Sequence, residues 1–285
     1  MYTIFGATGN TGKVVATQLL TQGKRVRAVV RDVRKAEALR TLGAELREAD
    51  LWNSATLSEL LRDVEGAYVL LPPRADTPDL IESERQLTDA LAGALSSARV
   101  PHVVLLSSIG AHLSAGTGPI ATTHYAERVL AQATPALSAL RAAYFMENWG
   151  AALGALAQDK LPSMLELDHA VHMVATEDIG RAAAKLLLQG PKAARVCELT
   201  GPRSFSPRDV ARALSGLVGR EISAERVPNQ AIVPALMGFG MSARNAELFR
   251  ELYAGVDSGH IVHEGGHPLL RGEVGIEQVL RKLLK

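Results

Sequence analysis

Two kinds of hydrophobic pattern take turns along this chain. Compact blocks in which most positions are apolar or β-branched lie at 2–5, 25–30, 44–47, 67–71, 102–106 and 136–140. Between them run longer stretches whose apolar positions recur every three or four residues, as at Val14, Val15, Leu19 and Leu20. The blocks predict strands and the stretches predict helices. Because the two alternate with short links, the expected fold class is α/β, a doubly wound parallel sheet with helices on both faces. Right-handed crossovers then put the turn after the first strand at the topological switch point, where such sheets bind ligands.

Punctuation supports these elements. Gly43 stands as the C′ residue of a helix over 34–42, and Asn53 or Ser54 caps one running through Leu61. Pro72-Pro73 stops the fourth strand, a long helix spans about 78–97, and a Gly/Ser-rich loop at 109–119 precedes a helix over about 121–133. From Arg141 the pattern loosens into an aromatic-rich segment at 144–149. The last third mixes short strands at 171–174, 196–199 and 222–227 with helices. Thr176 opens one helix, and Ser206-Pro207-Arg208-Asp209 opens another with a cap, a first-position proline and a third-position acid. No repeat or low-complexity linker interrupts the chain. The expected organisation is a nucleotide-binding domain over 1–150, with 171–199 adding to its sheet, and a smaller α+β covering domain over 151–285.

The first of these junctions carries chemistry. Tyr2-Thr3-Ile4-Phe5 runs straight into Gly6-Ala7-Thr8-Gly9-Asn10-Thr11-Gly12, three glycines spaced G-x-x-G-x-x-G between a strand and a helix. Gly6 allows a sharp turn off the strand, Gly9 lets backbone approach a pyrophosphate, and Gly12 lets helix and strand pack closely. Exposed N–H groups and the positive end of the helix dipole favour the phosphates. After the second strand, where an acid would select NAD and an arginine NADP, stands Arg31, followed by Asp32. A guanidinium pairs with a 2′-phosphate and stacks on adenine, so the expected cofactor is NADP(H). Arg34 and Lys35 read as a solvated helix face. Asp50-Leu51 ends the third strand where adenine would rest, with Asp50 either accepting from its amino group or capping the next helix. Leu71-Pro72-Pro73 follows the fourth strand, next in line along the cofactor.

Bulk composition adds mainly exclusions. In 285 residues, 47% hydrophobic with net charge +1, there is material for a sizeable core and no global pull toward nucleic acid or an acidic membrane surface. The single cysteine, Cys197, excludes an internal disulfide framework and suits a reducing compartment. The first strand starts at residue 2 and leaves no room for a signal peptide, and apolar runs such as 182–188 are too short to span a bilayer. The expectation is a cytoplasmic protein with a small-molecule substrate and no nucleic-acid or membrane partner. His260, His263, Glu264 and His267 suggest a metal site, but the segment is Gly-rich and lacks a helical period to align the rings. They read as loop histidines, and no metal is expected.

Several of these segments together resemble the NmrA-like atypical short-chain dehydrogenases/reductases: the 6–12 loop, Val29-Val30-Arg31-Asp32, Asp50-Leu51 and Phe145-Met146-Glu147-Asn148-Trp149. Val174-Ala175-Thr176-Glu177-Asp178-Ile179 and Glu198-Leu199-Thr200-Gly201-Pro202 extend the likeness over nearly the whole chain. The resemblance implies an NADP(H)-binding Rossmann domain with a small carboxyl-terminal domain roofing the substrate cleft. It further implies that Gly6, Thr8, Gly9, Asn10, Thr11 and Gly12 hold the pyrophosphate and Arg31 the 2′-phosphate. Leu71, Pro72 and Pro73 would line the nicotinamide ribose, Ser107 would also belong to the cofactor site, and Tyr144, Phe145 and Asn148 would close around the nicotinamide. It places His267-Pro268 in a terminal docking segment.

One departure bears on chemistry. In the Tyr-x-x-x-Lys pair of typical short-chain dehydrogenases, the lysine lowers the tyrosine pKa for proton transfer. Aligned through Glu127, the lysine position here is Thr123 and the tyrosine position Pro119, while Tyr125 is followed four residues on by Val129. His124 and Tyr125 are the candidate proton donors, with helix residues facing the cleft wall or the core as the alternative. Direct hydride transfer to a quinone-like or other conjugated acceptor asks less of the protein, namely orientation and a dry pocket. The alternatives are a regulator that senses NADP(H) and docks a protein partner and, less favoured without that pair, a sugar-nucleotide epimerase. Met237, Phe239 and Met241 are candidate roof residues for the substrate.

Overall fold

The computed structural model describes residues 1–72 and 77–285. Strands β1 (Tyr2–Ile4), β2 (Val26–Val30), β3 (Glu45–Glu48), β4 (Gly66–Val69), β5 (Val103–Ser108) and β6 (Leu137–Ala142) form the first part of a large sheet. Between them lie helices α1 (Asn10–Thr21), α2 (Glu37–Thr41), α3 (Ser54–Leu60), α4 (Leu80–Ala98) and α5 (Ile120–Ala133). The later elements are β7 (Tyr144–Phe145), β8 (Lys160–Ser163), β9 (Val171–Val174), α6 (Thr176–Gln189), β10 (Val196–Thr200), β11 (Ser204–Phe205) and α7 (Pro207–Val218). They are followed by β12 (Ser223–Arg226), α8 (Asn229–Gly238), α9 (Ala243–Asp257), β13 (Leu269–Arg271) and α10 (Ile276–Leu283).

Eight strands make one sheet in the order β13-β10-β6-β5-β4-β1-β2-β3, and every pairing in it is parallel. From β1 the chain winds outward through β2 and β3, then returns to β4 on the other side of β1. The switch point therefore falls between β1 and β4, directly under the glycine loop. Strand residues alternate between two cores, as the two-residue strand period requires. Ile4, Ala28, Tyr68 and Val104 pack on one face with Val15 and Leu19 of α1 and Ala183 of α6. Phe5, Val29, Val69 and Leu105 pack on the other with Leu57 of α3, Leu91 of α4 and Leu130 of α5.

Beyond residue 143 the chain builds a further core of Met146, Trp149, Met173, Phe205, Leu214 and Leu280, with a small satellite around Ile232, Leu236 and Ala246. Of the segment assigned by pattern to the main sheet, only β10 joins it, by pairing with β6. β9 instead pairs with β7 and β11 in a small separate sheet, because Gly201, whose N–H donates to the Met173 carbonyl at 2.8 Å, turns the chain back over it. β13 closes the edge of the large sheet against β10.

Local boundaries mostly follow the sequence signals. Asn53 caps α3 by accepting from the Ala55 N–H at 3.3 Å, and Ser206 and Asp209 form a reciprocal capping box on α7. The helix read at 34–42 is a 3₁₀ turn over Val33–Ala36 followed by the short α2, because Asp32 accepts from the Arg34 N–H and tightens the entry. Among the described residues no helix is long and apolar enough to cross a membrane.

Candidate cofactor cleft and acceptor pocket

The glycine loop is wound too tightly for side chains. Gly6 has φ +60°, in the left-handed region, and a Cβ there would stand 2.9 Å from Leu70 Cδ2. A Cβ at Gly12 would overlap the Gly6 carbonyl. The result is a closed turn, with the Gly9 N–H donating to the Gly6 carbonyl at 2.9 Å, and a helix that starts hard against the strand end. α1 begins with Gly9 at its cap and no side-chain oxygen to satisfy its first amides. Thr11 is fixed from behind, its hydroxyl accepting from Tyr68 at 2.9 Å.

A cavity of about 320 Å³ runs along the carboxyl ends of β1 to β4. Gly6, Thr8, Gly9, Asn10 and Thr11 line it, together with Arg31, Asp50, Leu51 and Pro72. Arg31 is exposed at this cleft and pairs with no carboxylate among the described residues, since Asp32 is taken by Arg34 at 2.9 Å. Asp50 accepts from the Trp52 N–H at 3.0 Å, an Asx turn that shapes the wall. Thr176, the first residue of α6, closes the cleft from the carboxyl-terminal side. It donates to Glu147 through its amide (3.0 Å) and hydroxyl (2.6 Å), so Glu147 ties the 146–149 segment to the start of α6.

A larger cavity of about 800 Å³ adjoins the cleft, and Phe145 lines both. Its walls bring together Leu71, Leu80 and Glu84, Pro119 and Thr123, Tyr144 and Asn148, and Phe249, Leu252 and Tyr253 of α9. Tyr144 lies beside Asn148 and Tyr253 in this wall. Burial first, and the neighbouring Tyr253 next, hold the Tyr144 hydroxyl well above the usual tyrosine range. Burial likewise raises Tyr253.

Other sequence candidates lie elsewhere. Ser107 turns to the opposite face of β5 from Leu106 and Ser108, and its hydroxyl donates to Glu127 at 2.6 Å; it lines neither cavity. The helical period turns His124 and Tyr125 away from the face that carries Pro119, Thr122 and Thr123 into the pocket. His124 Nδ1 lies 2.7 Å from the Ala111 carbonyl, and the Tyr125 hydroxyl donates to Asp89 at 2.7 Å beneath Arg85. Met237 and Phe239 are exposed and line no part of the pocket; α9 forms the roof instead. Pro73 lies outside the described residues.

His263 and His267 sit in an ion-pair network, while His260 Nε2 lies 3.0 Å from the Ala115 carbonyl. Arg141 bridges Glu127 and Glu264, and Glu264 pairs with His267 at 3.0 Å. Glu198 accepts from the Glu264 N–H at 2.7 Å and lies 3.4 Å from His263. These contacts fasten the 264–267 segment to β6 and β10.

Glu84 and Tyr253 are among the pocket residues that escaped the sequence reading. Glu84 interrupts the buried stripe Leu80, Leu87, Leu91 of α4, and a carboxylate on an apolar stripe was the available signal. Tyr253 carried none, since a tyrosine on a partly apolar helix face is ordinary.

A model of the NmrA-like family matches residues 2–260. The chain is 26% identical over 257 residues to an NAD(P)H azoreductase of Xenophilus azovorans, covering 89% of this chain and 86% of that protein. It is 24% identical over 287 residues to quinone oxidoreductase 2 of Escherichia coli, covering 94% of each. The fold is similar to that of a triphenylmethane reductase of Citrobacter sp. solved with NADP(H), with TM-score 0.80 at 18% identity over 99% of this chain and 100% of the other.

Proposed function

We propose that this chain, which belongs to the NmrA-like family, is an NADPH-dependent reductase of quinone-like or other conjugated small-molecule acceptors. The observation that carries the reading is the pair of adjoining cavities, a glycine-walled cleft and a larger, mostly apolar pocket that share Phe145. The activities named for the azoreductase and quinone oxidoreductase relatives support the same class.

The residues present suit the cofactor. With no Cβ tolerated at Gly12, the loop offers main chain to a pyrophosphate, and the uncapped start of α1 offers N–H groups and dipole. Arg31, without a carboxylate partner among the described residues, suits the 2′-phosphate, a charged contact worth about 1.5–3 kcal/mol. Asp50, Leu51 and Pro72 would flank the adenosine and ribose portions. Bound there, NADPH supplies the hydride.

The chain's own contribution is orientation and dryness. Tyr144 and Asn148 form the wall beside Phe145, and Leu252 and Tyr253 of α9 roof the space where an acceptor would lie. Pro119 and Thr123 stand in the pocket at the positions aligned with the tyrosine and lysine of the usual pair. On that alignment the chain carries no tyrosinate base of that kind, which supports acceptors that take hydride directly over alcohols that must lose a proton.

The test is NADPH oxidation across quinones, azo compounds and triphenylmethane dyes. Acceptor-dependent consumption is expected with at least one class. NADPH binding without consumption by any of them overturns the reading and points instead to a cofactor sensor that docks a protein.

A further inference from the structure

Glu84 lines the larger pocket, and the reading above gives its carboxyl no role. The residue is 2% exposed, and neither carboxyl oxygen has a hydrogen-bond partner among the described residues. Its main-chain carbonyl also accepts from the Thr88 hydroxyl at 2.8 Å. An ionised carboxylate in such a place loses its hydration without compensation, whereas a neutral acid keeps an O–H to donate.

Nearby charges are engaged elsewhere. On α4, Arg85 and Asp89 attend Tyr125, and Asp79 before it pairs with Arg244. On α5, Glu127 holds Arg141 and Ser107, and His124 meets the Ala111 carbonyl. Across the cavity Glu147 accepts from Thr176, His169 lies 3.7 Å from Asp257, and His172 meets Ser204 at 3.1 Å. The hydroxyls of Tyr144 and Tyr253 neighbour each other in the wall, each raised by burial. Burial alone accordingly pushes the Glu84 carboxyl up to about 8.

We propose that Glu84 is the acceptor-recognition group of the pocket, a neutral carboxylic acid whose O–H donates to the carbonyl oxygen of a conjugated acceptor. The class of acceptor rests on the reductase reading; the donor role rests on the orphaned carboxyl in the cavity wall. Two consequences follow from the chemistry. A carbonyl oxygen that gains electron density as hydride arrives is held more strongly, so the contact favours the transition state over the ground state. Conjugated ligands lacking an acceptor atom leave the buried O–H unpaired and are rejected.

Duroquinone is a suitable probe because it has carbonyl oxygens and no titrating group. Its binding to the full chain loaded with NADP⁺ is measured by titration from about pH 6 to about pH 9.5, beside infrared spectra of the bound quinone. For wild type, affinity is expected to hold at low pH and then fall up to roughly tenfold per pH unit above about pH 8, with the quinone carbonyl stretch lowered on binding. Glu84→Gln, near-isosteric and still a donor, is expected to bind within a few-fold of wild type with no pH dependence. Glu84→Leu is expected to lose roughly tenfold affinity at pH 6.5 and the infrared shift.

Binding by wild type that is absent or flat in pH, an unshifted carbonyl stretch, or Glu84→Leu matching wild type would each overturn the proposal. NADPH oxidation is followed separately. Turnover of quinones with Glu84-independent binding sinks this proposal and spares the reductase reading; Glu84-dependent binding with no turnover of any acceptor does the reverse.

Discussion

The cleft and the pocket share a wall at Phe145 and are built by opposite means. The cleft is built around main chain, strand ends and a glycine turn, and most of its lining comes from short runs at the ends of β1, β2, β3 and β4. The pocket is made of side chains from α4, α5, the 144–151 segment, the loop before β9, and α9, which lie far apart in sequence. A grip formed by backbone geometry tolerates almost no substitution at its glycines. A cavity formed by side chains on separate helices can change shape without disturbing the sheet. The same fold can therefore keep one cofactor and exchange acceptors.

The sharpest way to break this contrast is Gly12→Val. Its Cβ would overlap the Gly6 carbonyl, part of the main chain, which cannot give way as a flexible side chain could. NADPH affinity, read by fluorescence titration, is expected to fall by roughly a thousandfold or more, about 4 kcal/mol. Wild-type-like binding would show that the cleft is not held by the loop's close packing.

Glu84 gives the next largest effect, on stability and not on the cleft. Its carboxyl ionises near the ordinary 4.5 in the unfolded chain and at about 8 when folded. Between those values the folded protein keeps a proton that the unfolded chain has lost. Its stability therefore falls with rising pH across that window, by up to about 1.4 kcal/mol per pH unit, and levels off above it. Chemical denaturation of wild type beside Glu84→Gln is expected to show this slope only in wild type; parallel curves would mean Glu84 is ionised throughout.

Arg31→Ala sharpens the comparison within the cleft. NADPH binding is expected to weaken by roughly thirtyfold, about 2 kcal/mol, with NADH nearly unchanged. Equal losses for the two cofactors would remove the case for a 2′-phosphate contact. The smallest effect is assigned to Tyr125→Phe. Its hydroxyl serves Asp89 on the outer surface, so acceptor reduction is expected to stay within about twofold of wild type and stability within about 0.5 kcal/mol. A large loss of turnover would return Tyr125 to the list of proton donors.

The glycine spacing, the strand blocks and the place of Arg31 beside the loop were legible because this cleft is written locally, in residues adjoining the strands that end at it. Glu147 was visible within a motif, but its service to the Thr176 amide and hydroxyl across the fold was not. Ser107 was placed on the wrong side because a strand end near the switch point leaves the facing parity open, and here Ser108 takes the pocket. Met237 and Phe239 looked like roof residues by hydrophobicity, yet α8 leaves them in solvent and α9 closes the pocket.

Residue order alone set the alternating sheet and helices, the turn that can approach phosphate, and the absence of any Tyr followed four residues later by Lys. Each of these depends on the period or conformational freedom of neighbouring residues. Only the tertiary structure decided that Glu84 lies orphaned in a pocket wall, that Tyr144 lies beside Tyr253, and that His263 and His267 belong to an ion-pair network. Burial and hydrogen-bond partnership are set by segments distant in sequence, and a buried acid differs from a solvated one only in what surrounds it.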